Sequence, residues 1–164
     1  MHDDAVFDTS FWINAHRVGL LPLVLARFTL WYTPDVATEM KPTFPSGRDF
    51  HACVRRGELQ QAPSPVVQVS EFGPGERTAM SVALEHPDWF FLIDDHRPYQ
   101  VATRRGLRAM CTPLLTVMLL REGSIDDERA MEMLVRLDSL GTVSPRLVDD
   151  ALEQYIRWLA ERGA

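Results

Sequence analysis

A continuous apolar run, residues 89–93 (WFFLI), lies in the middle of the chain and ends at Asp94-Asp95. A strand that is apolar on both faces is typical of a parallel sheet covered by helices on both sides. Segments with helical periodicity separate it from other strand-like segments, which makes a doubly wound parallel sheet of about five strands the predicted fold. The other predicted strands are residues 5–7, 29–33, 66–69 and 107–111.

The segments between the strands carry helix signals such as first-turn prolines and a glycine after the last turn. Residues 11–28 are predicted to form two short helices, broken near Gly19 and Pro22. A proline-containing linker is expected at residues 61–65. One further helix is predicted to begin at Pro34. The other predicted helices cover residues 48–59, 76–85, 97–105, 113–122, 127–140 and 144–162.

The length of 164 residues suits one domain, 1–164. We expect residues 1–121 to form the α/β core and residues 122–164 to form helices that pack on it or on a partner. An apolar fraction of 46% excludes wholesale disorder. The longest apolar stretches, residues 18–26 and 111–120, are too short to span a bilayer, so no membrane association is expected. Two cysteines cannot form a disulfide framework, which favours a cytoplasmic location.

Five acidic residues follow or lie near the predicted strand ends. Because the carboxyl ends of parallel strands meet at one edge of a sheet, these acids are expected to lie together. Clustered carboxylates repel one another, and a hard divalent cation such as Mg²⁺ or Mn²⁺ offsets that repulsion. The acids are Asp8 after the first strand, Glu39 one helical turn after the second, Glu76 in the helix after the third, and Asp94 and Asp95 after the fourth.

Each of these acids also has a simpler explanation on its own. Glu76 is suited to a helix N-terminus through the helix dipole, and Asp94-Asp95 are suited to cap the next helix. Glu39 is suited to a solvated helix face. The prediction of a site therefore rests on the joint pattern of the five residues and not on any one of them.

The chain resembles the PIN-domain family of metal-dependent nucleases, in particular its prokaryotic, toxin-type branch. The matching motifs are residues 6–10 (VFDTS), 33–39 (TPDVATE), 75–83 (GERTAMSVA) and 92–95 (LIDD), and the resemblance runs nearly from end to end. It implies a three-layer α/β/α sandwich and RNA cleavage, often by the toxin of a toxin–antitoxin pair. A protein antitoxin and a homodimer are the partners that it implies.

The resemblance also implies roles for individual residues. It makes Asp8, Glu39, Glu76, Asp94 and Asp95 the catalytic carboxylates of an Mg²⁺ or Mn²⁺ site. All of them except Glu39 are assigned as metal ligands, and the choice between Asp94 and Asp95 stays open.

Three further residues are expected to support these carboxylates. Thr9 and Ser10 are positioned to donate hydrogen bonds to a ligand carboxylate or a phosphate, although a simple turn at the strand end explains them equally well. Arg97 follows Asp94-Asp95 closely and is the predicted phosphate-binding residue, because guanidinium groups bind phosphate oxygens in pairs.

Two other functions compete with this one. Asp8 and the apolar strand before Asp94-Asp95 are also similar to a haloacid-dehalogenase-type phosphatase, in which Asp8 would be the nucleophile. That alternative explains neither Glu39 nor Glu76. The second alternative is a non-catalytic PIN-like scaffold that binds nucleic acid or protein, since a fold by itself does not establish catalysis.

The net charge of −6 at first argues against a nucleic-acid substrate. Its distribution weakens that objection, because residues 122–164 carry −5 and residues 1–121 only −1. Without the five predicted site acids, residues 1–121 would carry +4. An acidic site within a mildly basic body is compatible with a polyanionic substrate such as RNA.

Overall fold

The computed structural model describes residues 2–163, which form a five-stranded, all-parallel sheet covered by nine helices. The strand order is β3-β2-β1-β4-β5, so the predicted doubly wound parallel sheet is confirmed. The first strand lies at the centre and pairs with β2 on one side and β4 on the other. The strands are β1 (Asp3–Phe7), β2 (Phe28–Tyr32), β3 (Leu59–Gln61), β4 (Phe90–Leu92) and β5 (Arg108–Met110).

Helices cover both faces of the sheet. Neighbouring residues of β1 point to opposite faces, and Val6 and Phe7 are both fully buried, in two separate hydrophobic clusters. This burial on both sides confirms the three-layer α/β/α sandwich. The helices are α1 (Thr9–Arg17), α2 (Leu21–Arg27), α3 (Pro34–Glu39), α4 (Pro45–Arg55), α5 (Pro74–Glu85), α6 (His96–Arg104), α7 (Thr112–Arg121), α8 (Asp127–Leu140) and α9 (Pro145–Gly163).

The predicted third strand was wrong. Residues 66–69 form no strand, and β3 lies earlier, at Leu59–Gln61, where the sequence suggested the end of a helix and the start of a linker. Ala62 still donates to the carbonyl of Tyr32 at 2.8 Å, and Pro63 then ends the ladder because it has no N–H. The next segment runs along α5, where the Val66 N–H donates to Glu85 Oε1 at 2.8 Å.

The C-terminal helices complete the domain on the face opposite α5. Leu147, Val148, Ala151 and Tyr155 of α9 are buried, whereas Ile156 is 63% exposed. One side of α9 therefore packs on the core, whereas Ile156 faces outward. The domain prediction of 1–164 includes Met1 and Ala164, which lie outside the described residues. Between residues 2 and 163, no helix combines the length and apolarity needed to cross a bilayer.

Candidate active site

The carboxyl ends of β1 and β4 meet where the strand order reverses, which is where ligands bind in doubly wound sheets. The Asp8 N–H donates to the carbonyl of Leu92 at 3.1 Å, and the Asp94 N–H donates to Ser10 Oγ at 3.4 Å. These bonds join the two strand ends directly. Asp8 and Asp94 therefore lie in the same crevice, as the strand-end positions predicted.

Asp8 is a buried carboxylate that caps a helix. It is only 1% exposed, and it accepts hydrogen bonds from the N–H of Phe11 at 2.9 Å and from Ser10 Oγ at 2.8–2.9 Å. Burial raises the pKa of Asp8 well above its usual value, and the charges of Asp94 and Glu76 raise it further, against the lowering effect of the two hydrogen bonds. Ser10 therefore supports Asp8 as expected, and Asp8 is costly to ionise without a compensating cation.

Asp94 is fixed by three donors. Thr112 donates to it twice, through its N–H at 2.6 Å and its hydroxyl at 2.7 Å, and Asn14 Nδ2 donates at 2.9 Å. Burial raises the pKa of Asp94 to about 6, despite these hydrogen bonds. The carboxylate therefore joins the end of β4 to α1 and to the first turn of α7.

Asn14 and Thr112 are the residues of this region that sequence reasoning missed. Asn14 is 2% exposed on α1, between its bond to Asp94 and the hydroxyl of Thr142, which donates to Asn14 Oδ1 at 2.6 Å. The available signal was a polar residue on the apolar face of a helix, since buried polar side chains need partners. Nothing in the sequence indicates that the partner of Asn14 lies 80 residues away.

We expect Thr112→Val to lower the free energy of unfolding at pH 7 by about 1–3 kcal/mol, because Asp94 loses a donor that water does not replace. Urea denaturation measures the change. Thr112→Ser should recover most of it. The matched control is Thr116→Val, which removes a buried hydroxyl of the same helix that donates only to a backbone carbonyl. Equal losses in the two valine variants would contradict a special role for Thr112.

Glu39 lies over the N-terminus of α5. Its Oε1 accepts from the Gly75 N–H at 2.9 Å, and its Oε2 accepts from the Thr9 hydroxyl. A Cβ on residue 75 would lie 2.5 Å from Glu39 Oε2, so only glycine permits this approach. The dipole of α5 favours a carboxylate at this position. The hydroxyl of Thr9 was expected to donate to a metal-binding carboxylate or a phosphate, and it donates to Glu39 instead.

Glu76 and Asp95 form the outer part of the acidic cluster. Glu76 is partly buried in the first turn of α5, and Asp95 is exposed just before α6. Burial raises the pKa of Glu76, and the neighbouring carboxylates of Asp95 and Glu39 raise it further. Asp94 and Asp95 thus have different surroundings, one fixed inside the protein and one open to solvent.

The structure brings the five predicted carboxylates into one electrostatic cluster. The charges of Asp94 and Glu76 raise the pKa of Asp8, and the charges of Asp95 and Glu39 raise the pKa of Glu76. Within residues 2–163, none of the five forms a salt bridge. In the same range, no three His, Cys, Asp or Glu side chains converge closely enough to hold a metal ion. The donor atoms, all carboxylate oxygens, fit a hard divalent cation. Hydrogen bonds within the protein orient Asp8, Glu39 and Asp94.

The predicted phosphate-binding residue lies to one side of this cluster. Arg97 is 73% exposed, and its nearest ionic partner is Glu71 at 3.8 Å. Its guanidinium also lies 5.9 Å from the ring centroid of Phe72. Exposed pairs of this kind contribute little to stability, so the contact leaves Arg97 able to turn toward a bound anion. His96 differs, because both of its ring nitrogens are buried without a hydrogen-bond partner among the described residues.

Two solved structures of low sequence identity are similar to this chain. Among solved structures, the PIN domain endonuclease Utp24 superposes with a TM-score of 0.50 at 12% identity, over 66% of this chain and 84% of that one. A PilT N-terminus domain protein from the archaeon Sulfolobus solfataricus P2 gives 0.38 at 14% identity, over 65% and 85%. No curated protein sequence matches significantly.

The sequence model of one protein family, described as DUF3368, PIN domain, matches residues 4–158. The match includes all five acids of the cluster and the elements that position them. It supports nuclease-type function in general and gives no support to the phosphatase alternative. The chain belongs to the PIN domain family.

Proposed function

We propose that this protein is a ribonuclease that hydrolyses phosphodiester bonds with the help of Mg²⁺ or Mn²⁺ at the acidic cluster. The observation that carries the proposal is the meeting of carboxylates from four chain segments at one edge of the sheet. Ser10 forms hydrogen bonds with both Asp8 and Asp94, and Glu39 accepts from the first turn of α5, which carries Glu76. None of the five acids forms a salt bridge within residues 2–163. Such an arrangement is costly to keep for structural reasons alone, because burial disfavours the ionised forms of Asp8 and Asp94 despite their hydrogen bonds. It is suited to a divalent cation and a phosphodiester.

The residues differ in how they would take part. Asp8, Glu76 and Asp95 would hold the cation, and a side-chain rotation of the partly exposed Glu76 and Asp95 would bring the three carboxylates together. A bound divalent cation supplies activated water and neutralises charge at the phosphate. Asp94 would act as a positioning residue, because three donors from Asn14 and Thr112 hold it in place, against two donors for Asp8.

Glu39 would orient the attacking water. Each of its oxygens accepts one hydrogen bond from the protein, one from Gly75 and one from Thr9, and each has a second lone pair. The carboxylate is thereby held in one orientation while it accepts a hydrogen bond from water. Arg97 would bind the phosphate after leaving its exposed contact with Glu71. A toxin role, an antitoxin partner and a homodimer stay predictions of the resemblance.

The proposal is tested by incubating the protein with a panel of single-stranded and structured RNAs, with Mg²⁺, with Mn²⁺ or with a chelator. We expect cleavage only with a divalent cation. Asp95→Asn should lower the rate at least about tenfold, because a carboxylate ligand is replaced by a weaker neutral one. Its matched control is Asp88→Asn, which changes an exposed aspartate that precedes the same strand.

Three results would contradict the proposal. Cleavage that persists in the presence of the chelator would show that no metal is needed. Equal rates for Asp95→Asn and the wild type would show that Asp95 is not a ligand. Hydrolysis of a generic phosphomonoester with all RNAs left intact would favour the phosphatase alternative.

A further inference from the structure

A groove adjoins the acidic cluster on the side of Glu39. Its volume is about 610 Å³, within the usual range of about 300–1,000 Å³ for pockets that bind small molecules. Its walls are α1, the connection from α3 to α4, and α8, which brings together segments about 100 residues apart in sequence. Glu39 lines the groove, and its oxygens accept hydrogen bonds from Thr9 and Gly75, so the groove adjoins the site directly.

Three cationic side chains line this groove. Arg17 comes from α1, Lys41 from the connection and Arg136 from α8, and Lys41 is the only lysine of the chain. Among residues 2–163, none of the three forms a salt bridge. The fourth basic group, His16, is instead bonded to Asp49 at 2.8 Å. The groove therefore offers positive charge beside an otherwise negative cluster.

An exposed aromatic ring belongs to the same wall. Phe44, just before α4, is 62% exposed, whereas Phe7, Phe11 and Phe50 are fully buried. Exposure of a phenylalanine ring leaves apolar surface in contact with water, at a free-energy cost that scales with the area. A ring held at the edge of a cationic groove matches the pattern by which proteins bind single strands, in which bases stack on aromatic side chains and cations follow the phosphates.

We infer that this groove binds the single-stranded RNA next to the scissile phosphate, with Phe44 stacked on a base and Arg17, Lys41 and Arg136 near the phosphates. The inference rests on the proposed nuclease function. It adds a binding groove for the RNA strand and names Phe44 as the residue that selects unpaired bases. A base inside a duplex is already stacked on its neighbours and does not present its face to Phe44. Single strands are therefore bound in preference to duplexes.

The test compares Phe44→Ala and Phe44→Trp. Fluorescence anisotropy gives the Kd of a labelled ten-nucleotide uridine RNA, in the Asp8→Asn background so that the RNA is not consumed. We expect Phe44→Ala to raise the Kd about fivefold or more, the lower end of what one lost base stack costs. The Kd of Phe44→Trp should stay within about twofold of the value with Phe44, because base stacking is retained. In the active background, KM should rise with kcat unchanged.

Two controls separate stacking from other effects. Ile156→Ala removes an equally exposed apolar side chain on α9, and it should leave the Kd unchanged. An abasic oligonucleotide keeps the phosphates but has no bases, so its weaker binding should be the same with and without Phe44. Circular dichroism and the Tm confirm that each variant is folded.

The possible results distinguish this inference from the proposed function. Cleavage by the wild type together with an unchanged Kd in Phe44→Ala would overturn the inference that RNA binds in this groove, and it would leave the proposed nuclease function in place. An equal effect of Phe44→Ala on the abasic strand would also overturn stacking. A Phe44-dependent Kd without any cleavage by the wild type would support the groove and overturn the nuclease. Absence of RNA binding would overturn both.

Discussion

Asp8→Asn is expected to lower metal-dependent RNA cleavage at least about a hundredfold, since loss of residues that merely orient metal ligands already costs 10- to 100-fold. Asp8 lies at the centre of the cluster, coupled both to Asp94 and to Glu76. Asparagine keeps the size and the acceptor oxygen of the side chain but removes its charge, so the variant tests the charge alone. Steady-state cleavage of a single-stranded RNA with saturating Mg²⁺ measures the effect.

The same substitution should leave the protein as stable as the wild type at pH 7, or more stable. Asparagine is as good an N-cap as aspartate, so the bond from the Phe11 N–H can be kept. Removal of a charge that burial disfavours also relieves repulsion from Asp94 and Glu76. Thermal unfolding without divalent cations measures this. A variant that loses activity because its Tm falls sharply would contradict the assignment, and Asp88→Asn is the control for a change far from the cluster.

Most of the fold follows from patterns within single segments of the sequence. The apolar run before Asp94 and the short run before Asp8 were correctly predicted as strands of a parallel sheet, because burial on both faces requires apolar residues throughout. That the two strands are neighbours was seen only in the structure. The third strand was misplaced because Val66 and Val67 have high strand propensity but no strand beside them. Both are exposed, at 74% and 56%, and the segment is held to α5 by side-chain acceptors.

The acidic cluster was predictable for a different reason. The rule that parallel strands end at the same edge of a sheet places Asp8 and Asp94 at one edge without knowledge of any contact. The hydrogen bonds that distinguish the members of the cluster were not predictable, because they join segments 30 to 80 residues apart. Asp94 and Asp95 are indistinguishable in sequence, and only the burial of Asp94 against Asn14 separates their roles.

Without divalent cations, the free energy of unfolding is expected to fall as the pH rises from about 4 to 7. Asp94 has a pKa of about 6 in the folded protein against an ordinary 3.8. An acid whose folded pKa is raised contributes stability below its unfolded pKa, and this contribution is lost as the pH rises through the folded value. For Asp94 the loss is about 3 kcal/mol, at about 1.4 kcal/mol per pH unit. The raised pKa values of Asp8 and Glu76 act in the same direction.

Mg²⁺ or Mn²⁺ should offset this loss, because the cation binds the ionised carboxylates of Asp8 and Glu76, which a higher pH produces. At a concentration 100 times its Kd, a ligand of the folded state stabilises it by about 2.7 kcal/mol. For a domain of this size, that corresponds to a rise in Tm of about 5–10 °C. We expect this rise at pH 7–8 and almost none at pH 4, as measured by differential scanning calorimetry with Mn²⁺ or with a chelator.

The pH dependence also distinguishes the acidic cluster from other carboxylates that could bind Mn²⁺. The C-terminal region carries ten acidic residues, whereas burial raises the pKa of three carboxyl groups in the acidic cluster, Asp8, Glu76 and Asp94. A cation effect that begins at a pH above the usual range of carboxyl groups therefore reports these buried groups with a raised pKa. Asp8→Asn should abolish the rise in Tm, and Asp88→Asn should preserve it. A rise that survives in Asp8→Asn would place the cation elsewhere and remove the physical basis for metal-dependent cleavage at this cluster.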